Sequence, residues 1–155
     1  TMLQPDLERY ANAPAVLVQI YVDRIVLHYP SSTEYLTECA QFSHPRSLLG
    51  DFSIAETALT QLLKRGGGGF KYLAPYMFIQ AMERMEFGLT QVEIRALQEL
   101  GLNSGARAIA IYDETGRLLT PNSLPAPINL KRIAIMGLIV ASIVLLCFLC
   151  AIFIF

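Results

Sequence analysis

Cys39 and His44 lie within one short stretch and form the one thiol–imidazole combination outside the C-terminal run. Such a pair can generate a thiolate nucleophile if a third group orients the imidazole and donors await the oxyanion. Neither companion is legible nearby. The pattern therefore reads as a free thiol and a loop histidine, and a lone cysteine in residues 1–132 suits a reducing compartment. The other histidine, His28, falls in an apolar, β-branched stretch. Glu83 and Glu86 flank Arg84 three positions apart. Paired carboxylates can share a proton or hold a hard cation, but the same spacing describes a solvated loop. Gly66 to Gly69 invite a phosphate-cradle reading. A phosphate loop follows a strand and opens a helix with Lys-Ser/Thr, whereas these glycines follow a helical pattern and run toward a strand. Cys147 and Cys150 share one helical face inside an apolar run without a His or carboxylate beside them, which reads as packing.

The elements around these residues follow from periodicity. Residues 16–29 (VLVQIYVDRIVLHY) predict two strands around an Asp23-Arg24 turn. Residues 30–50 read as irregular, with a helical turn near Glu34–Cys39. Residues 53–65 predict an amphipathic helix with a Ser53–Glu56 capping box. Its inward stripe is Ile54, Ala58, Leu59, Leu62 and Leu63, and Gly66 is a left-handed stop. Residues 76–82 predict a buried strand. Residues 90–102 predict a helix capped by Thr90 and Glu93, with Ile94, Leu97 and Leu100 or Gly101 inward. A strand over 106–112 ends in a turn at Asp113–Gly116, with a brief return at Leu118-Leu119. Strands alternating with helices imply an α/β layer with at least two parallel neighbours.

Ile133 to Phe155 carry no charge. As one helix they would span roughly 34 Å, enough for a hydrocarbon core of about 30 Å. Lys131 and Arg132 precede the run, and the positive-inside rule sets them on the cytoplasmic face. Gly137 and Ala141 are a small-xxx-small pair through which two such helices can approach. The expected division is an α/β domain over 1–119, a Pro-rich linker with a basic flank over 120–132, and a transmembrane helix over 133–155 anchored from Lys131, Arg132 and Ile133 to Phe155. The linker holds Pro121, Pro125 and Pro127 and reads as a semi-rigid spacer. The N-terminus lacks the charged-then-apolar pattern of a signal peptide. The 155 residues carry 12 basic and 13 acidic side chains and no tryptophan. That balance argues against a nucleic-acid partner.

Two stretches resemble the bacterial actin homologue MreB family. Leu48-Leu49-Gly50-Asp51-Phe52 runs into SIAETALTQLLK in the manner of the family's approach to its corresponding helix. More specifically, Gly88, Thr90, Gln91, Val92, Glu93, Arg95, Ala96, Gly105, Ala106 and Arg107 match the family's pattern across Leu89–Glu114. The hairpin Ile20–Ser31 is a weaker match. Together they cover about half the chain. The resemblance implies a small actin/RNase H-like α/β fold corresponding to one subdomain, in a bacterial setting. The family's ATP site does not carry over. Before Ile20 the chain reads Ala13-Pro14-Ala15-Val16-Leu17-Val18, with neither glycine nor acid where a phosphate loop belongs. Glu114 aligns with the family's water-positioning glutamate but lacks the surrounding phosphate loops, so it reads as a turn residue.

The expected function is non-enzymatic, without cofactor or metal. The chain reads as a tail-anchored adaptor at the bacterial inner membrane, its partners the lipid bilayer and a protein. That protein is either an actin-like filament of cell-wall elongation or a larger membrane assembly in which the chain is a one-helix structural subunit. Tyr72, Tyr76, Met82, Met85 and Phe87 are the expected partner surface. A residual nucleotide sensor is the reading from another class.

Overall fold

The computed structural model describes residues 2–30, 32–66, 73–83, 88–120, 124–128 and 134–144. Among the described residues, ahead of a helical stretch at 134–144, five strands and three helices run in the order α1 (Leu3–Arg9), β1 (Ala15–Tyr21), β2 (Arg24–His28), β3 (Tyr35–Cys39), α2 (Phe52–Arg65), β4 (Tyr76–Ala81), α3 (Gln91–Asn103) and β5 (Ala108–Tyr112). The strands form one mixed sheet in the order β3-β2-β1-β4-β5. β1, β2 and β3 are antiparallel neighbours, whereas β1–β4 and β4–β5 are parallel. The parallel joins need crossovers, and α2 and α3 supply them. β4 is buried at every position, as a central parallel strand must be.

Both crossover helices pack on one face of the sheet. Val16, Val18, Ile20, Ile25, Leu27, Met77, Ile79 and Ile111 meet Ala55, Ala58, Leu59, Leu62, Ile94, Leu97 and Leu100 there. Each of these side chains moves out of water at roughly 25 cal/mol per Å² of apolar surface, so this face supplies most of the core. Gly101 lets α3 close on the sheet: a Cβ there would stand 2.5 Å from Ile109 Cδ1. The opposite face holds a second cluster of Tyr10, Tyr76, Phe78 and Tyr112 with Leu3 and Ala110. α1 covers this cluster. Its Asp6 carboxylate accepts from the Tyr112 hydroxyl at 2.8 Å.

Several sequence expectations change. Glu34–Cys39 is not helical; β3 occupies it because alternate residues, Leu36 and Glu38 against Tyr35, Thr37 and Cys39, can face opposite sides of a sheet edge. The tight turn uses Val22 and Asp23, with Asp23 at φ 53°, and Arg24 begins β2. α2 is capped two residues earlier than a Ser53 box implies. Asp51 Oδ1 accepts from the Ile54 N–H at 3.1 Å, and the helix starts at Phe52. Ile54 is consequently turned outward and Ala55 inward. Gly66 is right-handed, not a left-handed stop. Thr90 and Glu93 do form a reciprocal capping box on α3. α1 lies where the sequence pattern offered no element.

The C-terminal expectation fails. Residues 134–144 are helical, about 16 Å at the α-helical rise. Among the described residues no helix is long and apolar enough to cross a membrane. This contradicts the spanning helix expected over 133–155 and the tail anchor drawn from it. Gly137 and Ala141 are exposed in the helical residues 134–144, while Lys131, Arg132, Ile133, Cys147, Cys150 and Phe155 lie outside the described residues.

The expected spacer also changes character. Residues 124–128 lie against the tyrosine cluster, with Leu124 and Ile128 packed on it. The Tyr10 hydroxyl donates to the Pro125 carbonyl, and the Tyr76 hydroxyl to that of Ala126 at 3.2 Å. Prolines keep this segment extended and leave its carbonyls free to accept.

Candidate functional site

A polar chain crosses the sheet on the face that α2 and α3 leave open. Gln19 and Gln80 are register partners on β1 and β4. Gln19 Nε2 donates to Gln80 Oε1 at 3.0 Å, and Gln19 Oε1 meets His28 Nε2 at 3.0 Å. Gln80 Nε2 donates onward to the carbonyls of Asp113 and Glu114, each at 3.2 Å. Met82 Sδ lies 3.7 Å from Gln19 Nε2. The chain thus links β2, β1 and β4 to the turn after β5. Amides neither take up nor release protons near neutrality, so this chain orients groups without acid–base work. Burial lowers the pKa of His28 and favours its neutral form.

At the same end of the sheet the turns are tied down. Asp23 and Ser43 bond reciprocally: the Ser43 N–H donates to Asp23 Oδ1 at 2.7 Å, and the Asp23 N–H to Ser43 Oγ at 3.1 Å. A Glu83 carboxylate oxygen accepts from the Val22 N–H at 2.6 Å. The buried Asp113 accepts from the Thr115 and Arg117 backbone N–H groups and from both their side chains. Burial alone would raise its pKa; these four donors outweigh it and hold the carboxyl below the usual range. Each carboxylate here is spent on closing a loop.

Beside the polar chain, one half of the same face lacks a covering helix among the described residues. Cross-strand partners share a face. The pairings Tyr35–His28–Leu17, Thr37–Val26–Gln19 and Cys39–Arg24–Tyr21 therefore set nine side chains on one surface. Tyr35 is 64% exposed, and its ring lies 5.8 Å from that of His28. The Arg24 guanidinium stands 4.2 Å over the Tyr21 ring. This is a mixed aromatic and cationic surface on rigid strands, a composition suited to protein contacts.

The sequence-derived candidates distribute as follows. Cys39 is exposed at the end of β3. His44 is exposed, and its Nδ1 lies 3.4 Å from the Arg46 amide nitrogen. No bond joins it to Cys39, so the thiol–imidazole reading has no geometry behind it. Glu83 is committed to the hairpin, while Arg84 and Glu86 lie outside the described residues, as do Gly67, Gly68 and Gly69. Glu114 is an exposed turn residue whose carbonyl serves Gln80. Of the expected partner surface, Tyr76 is buried at 1% exposure and belongs to the core. A strand pattern does not show which strand ends in the middle of the sheet. Met82 is half-buried beside Gln19; Tyr72, Met85 and Phe87 lie outside the described residues. Among the described residues no three His, Cys, Asp or Glu side chains gather to hold a metal.

The open half-face was missed. Its signal is the period-two alternation of Tyr35, Thr37 and Cys39, obscured by the prolines and serines around it in residues 30–50. No family model matches the chain, and no curated protein matches it.

Proposed function

We propose that this chain is a non-enzymatic adaptor whose small α/β domain docks a protein partner on the open sheet face of β1, β2 and β3. The observation that carries this reading is that surface: Tyr21, Arg24, His28 and Tyr35 exposed or half-exposed on rigid strands, with the nearby carboxylates Asp113 and Glu83 engaged in turns. Aromatic rings and Arg are the side chains that most often anchor protein interfaces. The resemblance to MreB makes an actin-like filament the first partner to test, by analogy of sequence alone. A subunit of a larger assembly is the competing partner.

The test places a photo-crosslinking residue at Tyr35 in the full chain and identifies what it captures at stoichiometric yield. Loss of that adduct with Arg24→Glu is expected. Co-sedimentation with an actin-like filament separates the two partner classes. Capture of nothing, or capture indifferent to Arg24→Glu, removes the docking face. A melting-temperature rise with millimolar ATP would instead favour nucleotide sensing.

A further inference from the structure

The free edge of β3 is the other unspent feature. β3 has only β2 as a sheet neighbour among the described residues. The Ala40 N–H donates to the Asp23 carbonyl at 3.1 Å. Antiparallel ladders alternate, so Glu38 and Leu36 bond toward β2, and the backbone groups of Tyr35, Thr37 and Cys39 point outward. The Arg65 guanidinium confirms the direction: it donates to the Thr37 carbonyl at 3.0 Å and to the Glu38 carboxylate at 2.6 Å. A row of outward backbone groups without a strand neighbour is a template for another strand. Along it, between β3 and α2, runs a groove of about 190 Å³ lined by Glu38, Ala40, Ile54, Thr57, Ala58 and Gln61. Ile54 is 40% exposed at this groove.

We infer that the edge pairs with the same edge of a second copy of this chain, antiparallel and two-fold about Thr37. That register sets Thr37 opposite itself, and Tyr35 opposite the other copy's Cys39. On the α2 side it sets Leu36 of one copy opposite Glu38 of the other. Two complementarities select this occupant over an arbitrary strand. The incoming Leu36 lies over the groove beside Ile54, Ala40 and Ala58, which covers apolar surface. The incoming Glu38 lies beside Leu36, within the sweep of Arg65 and of the Lys64 that precedes it at the end of α2. Arg65 then exchanges the Thr37 carbonyl for a second carboxylate, and the carbonyl takes the other copy's Thr37 N–H. In the monomer the same arginine guards the edge. About six ladder bonds form, over an interface smaller than that of a stable dimer, so association is concentration-dependent.

The test uses the full chain. Sedimentation equilibrium over a range of concentrations is expected to show a reversible dimer, lost in Thr37→Pro, which removes an outward N–H without touching the β2 ladder. Independently of that variant's folding, Thr37→Cys in a background with Cys39→Ser, Cys147→Ser and Cys150→Ser is expected to oxidise to a covalent dimer. Directly opposed Cα atoms in a bonded pair stand about 5.5 Å apart, within disulfide reach. A chain that keeps Cys39 as its one thiol, with Cys147→Ser and Cys150→Ser, offsets those thiols by four residues in this register and should not cross-link. A monomer at every concentration, a dimer unchanged by Thr37→Pro, or cross-linking through Cys39 in place of position 37 overturns the proposal.

Discussion

Asp113 shows how one side chain can settle what a stretch of chain does. The Asp-Glu-Thr-Gly run reads as a turn, and the carboxylate of Asp113 accepts four hydrogen bonds that hold it closed. Asp113→Ala leaves those donors without their acceptor and is expected to cost about 2–3 kcal/mol, measured by denaturant unfolding. The pH dependence has a definite sign. The folded carboxyl lies below its ordinary value of 3.8. Its contribution is therefore complete above that value and is lost as pH falls through the lower folded pKa. His28 works in the opposite chemical sense. Burial lowers it from 6.5, so the folded chain binds fewer protons there, and stability falls as pH drops below 6.5. A ring-proton NMR titration should give a midpoint under 6.5, and His28→Gln should flatten the stability profile between about pH 7 and 5. A midpoint at or above 6.5 would contradict the packing described for that ring.

Helix boundaries carry a sharper contrast. Ser53 and Asp51 are both good capping types, and the sequence pattern favours Ser53 through Glu56. The structure gives the cap to Asp51. Asp51→Ala is accordingly expected to cost about 1 kcal/mol, whereas Ser53→Ala should stay within about 0.5 kcal/mol. Equal losses, or the reverse order, would return the helix start to Ser53. On α3, Thr90→Ala removes one half of a complete capping box and should cost about 1 kcal/mol as well. Gly101 tests packing. An alanine there gains about 1 kcal/mol of helix propensity but meets Ile109 and Met77, flexible side chains that can shift. Gly101→Ala should be close to neutral, while Gly101→Val should lose about 1–3 kcal/mol by overpacking.

For the molecule as a whole, the two sheet faces are unequal. One is covered by α2 and α3, and the other is closed in part by α1 and by residues 124–128 against Tyr10, Tyr76, Phe78 and Tyr112. The Tyr10–Tyr76 rings meet edge to face at 4.9 Å, a geometry that adds to area burial. A chain ending at Thr120 should therefore melt lower than one ending at Arg132, because it uncovers the tyrosine cluster. A freely solvated spacer predicts identical melting temperatures for the two, so one thermal scan of the pair decides between strap and spacer. The strap also bears on how much of the chain can be cut away when the docking face of β1, β2 and β3 is assayed alone.

The sequence by itself determined the elements whose signal is local. The β1–β2 hairpin, α2, β4, α3 and its Thr90–Glu93 box, β5 and the Asp113 turn all follow from periodicity and short-range caps, because these depend on neighbours within a few residues. Its apolar C-terminal run suggested a span, but among the described residues no helix is long and apolar enough to cross a membrane. Only the tertiary structure decided that 35–39 is an edge strand, that Tyr76 is core and not surface, and that a Pro-rich segment is a strap. It also decided that, among the described residues, half of one sheet face and the β3 edge are left open. Each of those depends on which strands become neighbours, and strand neighbourhood is set by long-range pairing that a single sequence does not display.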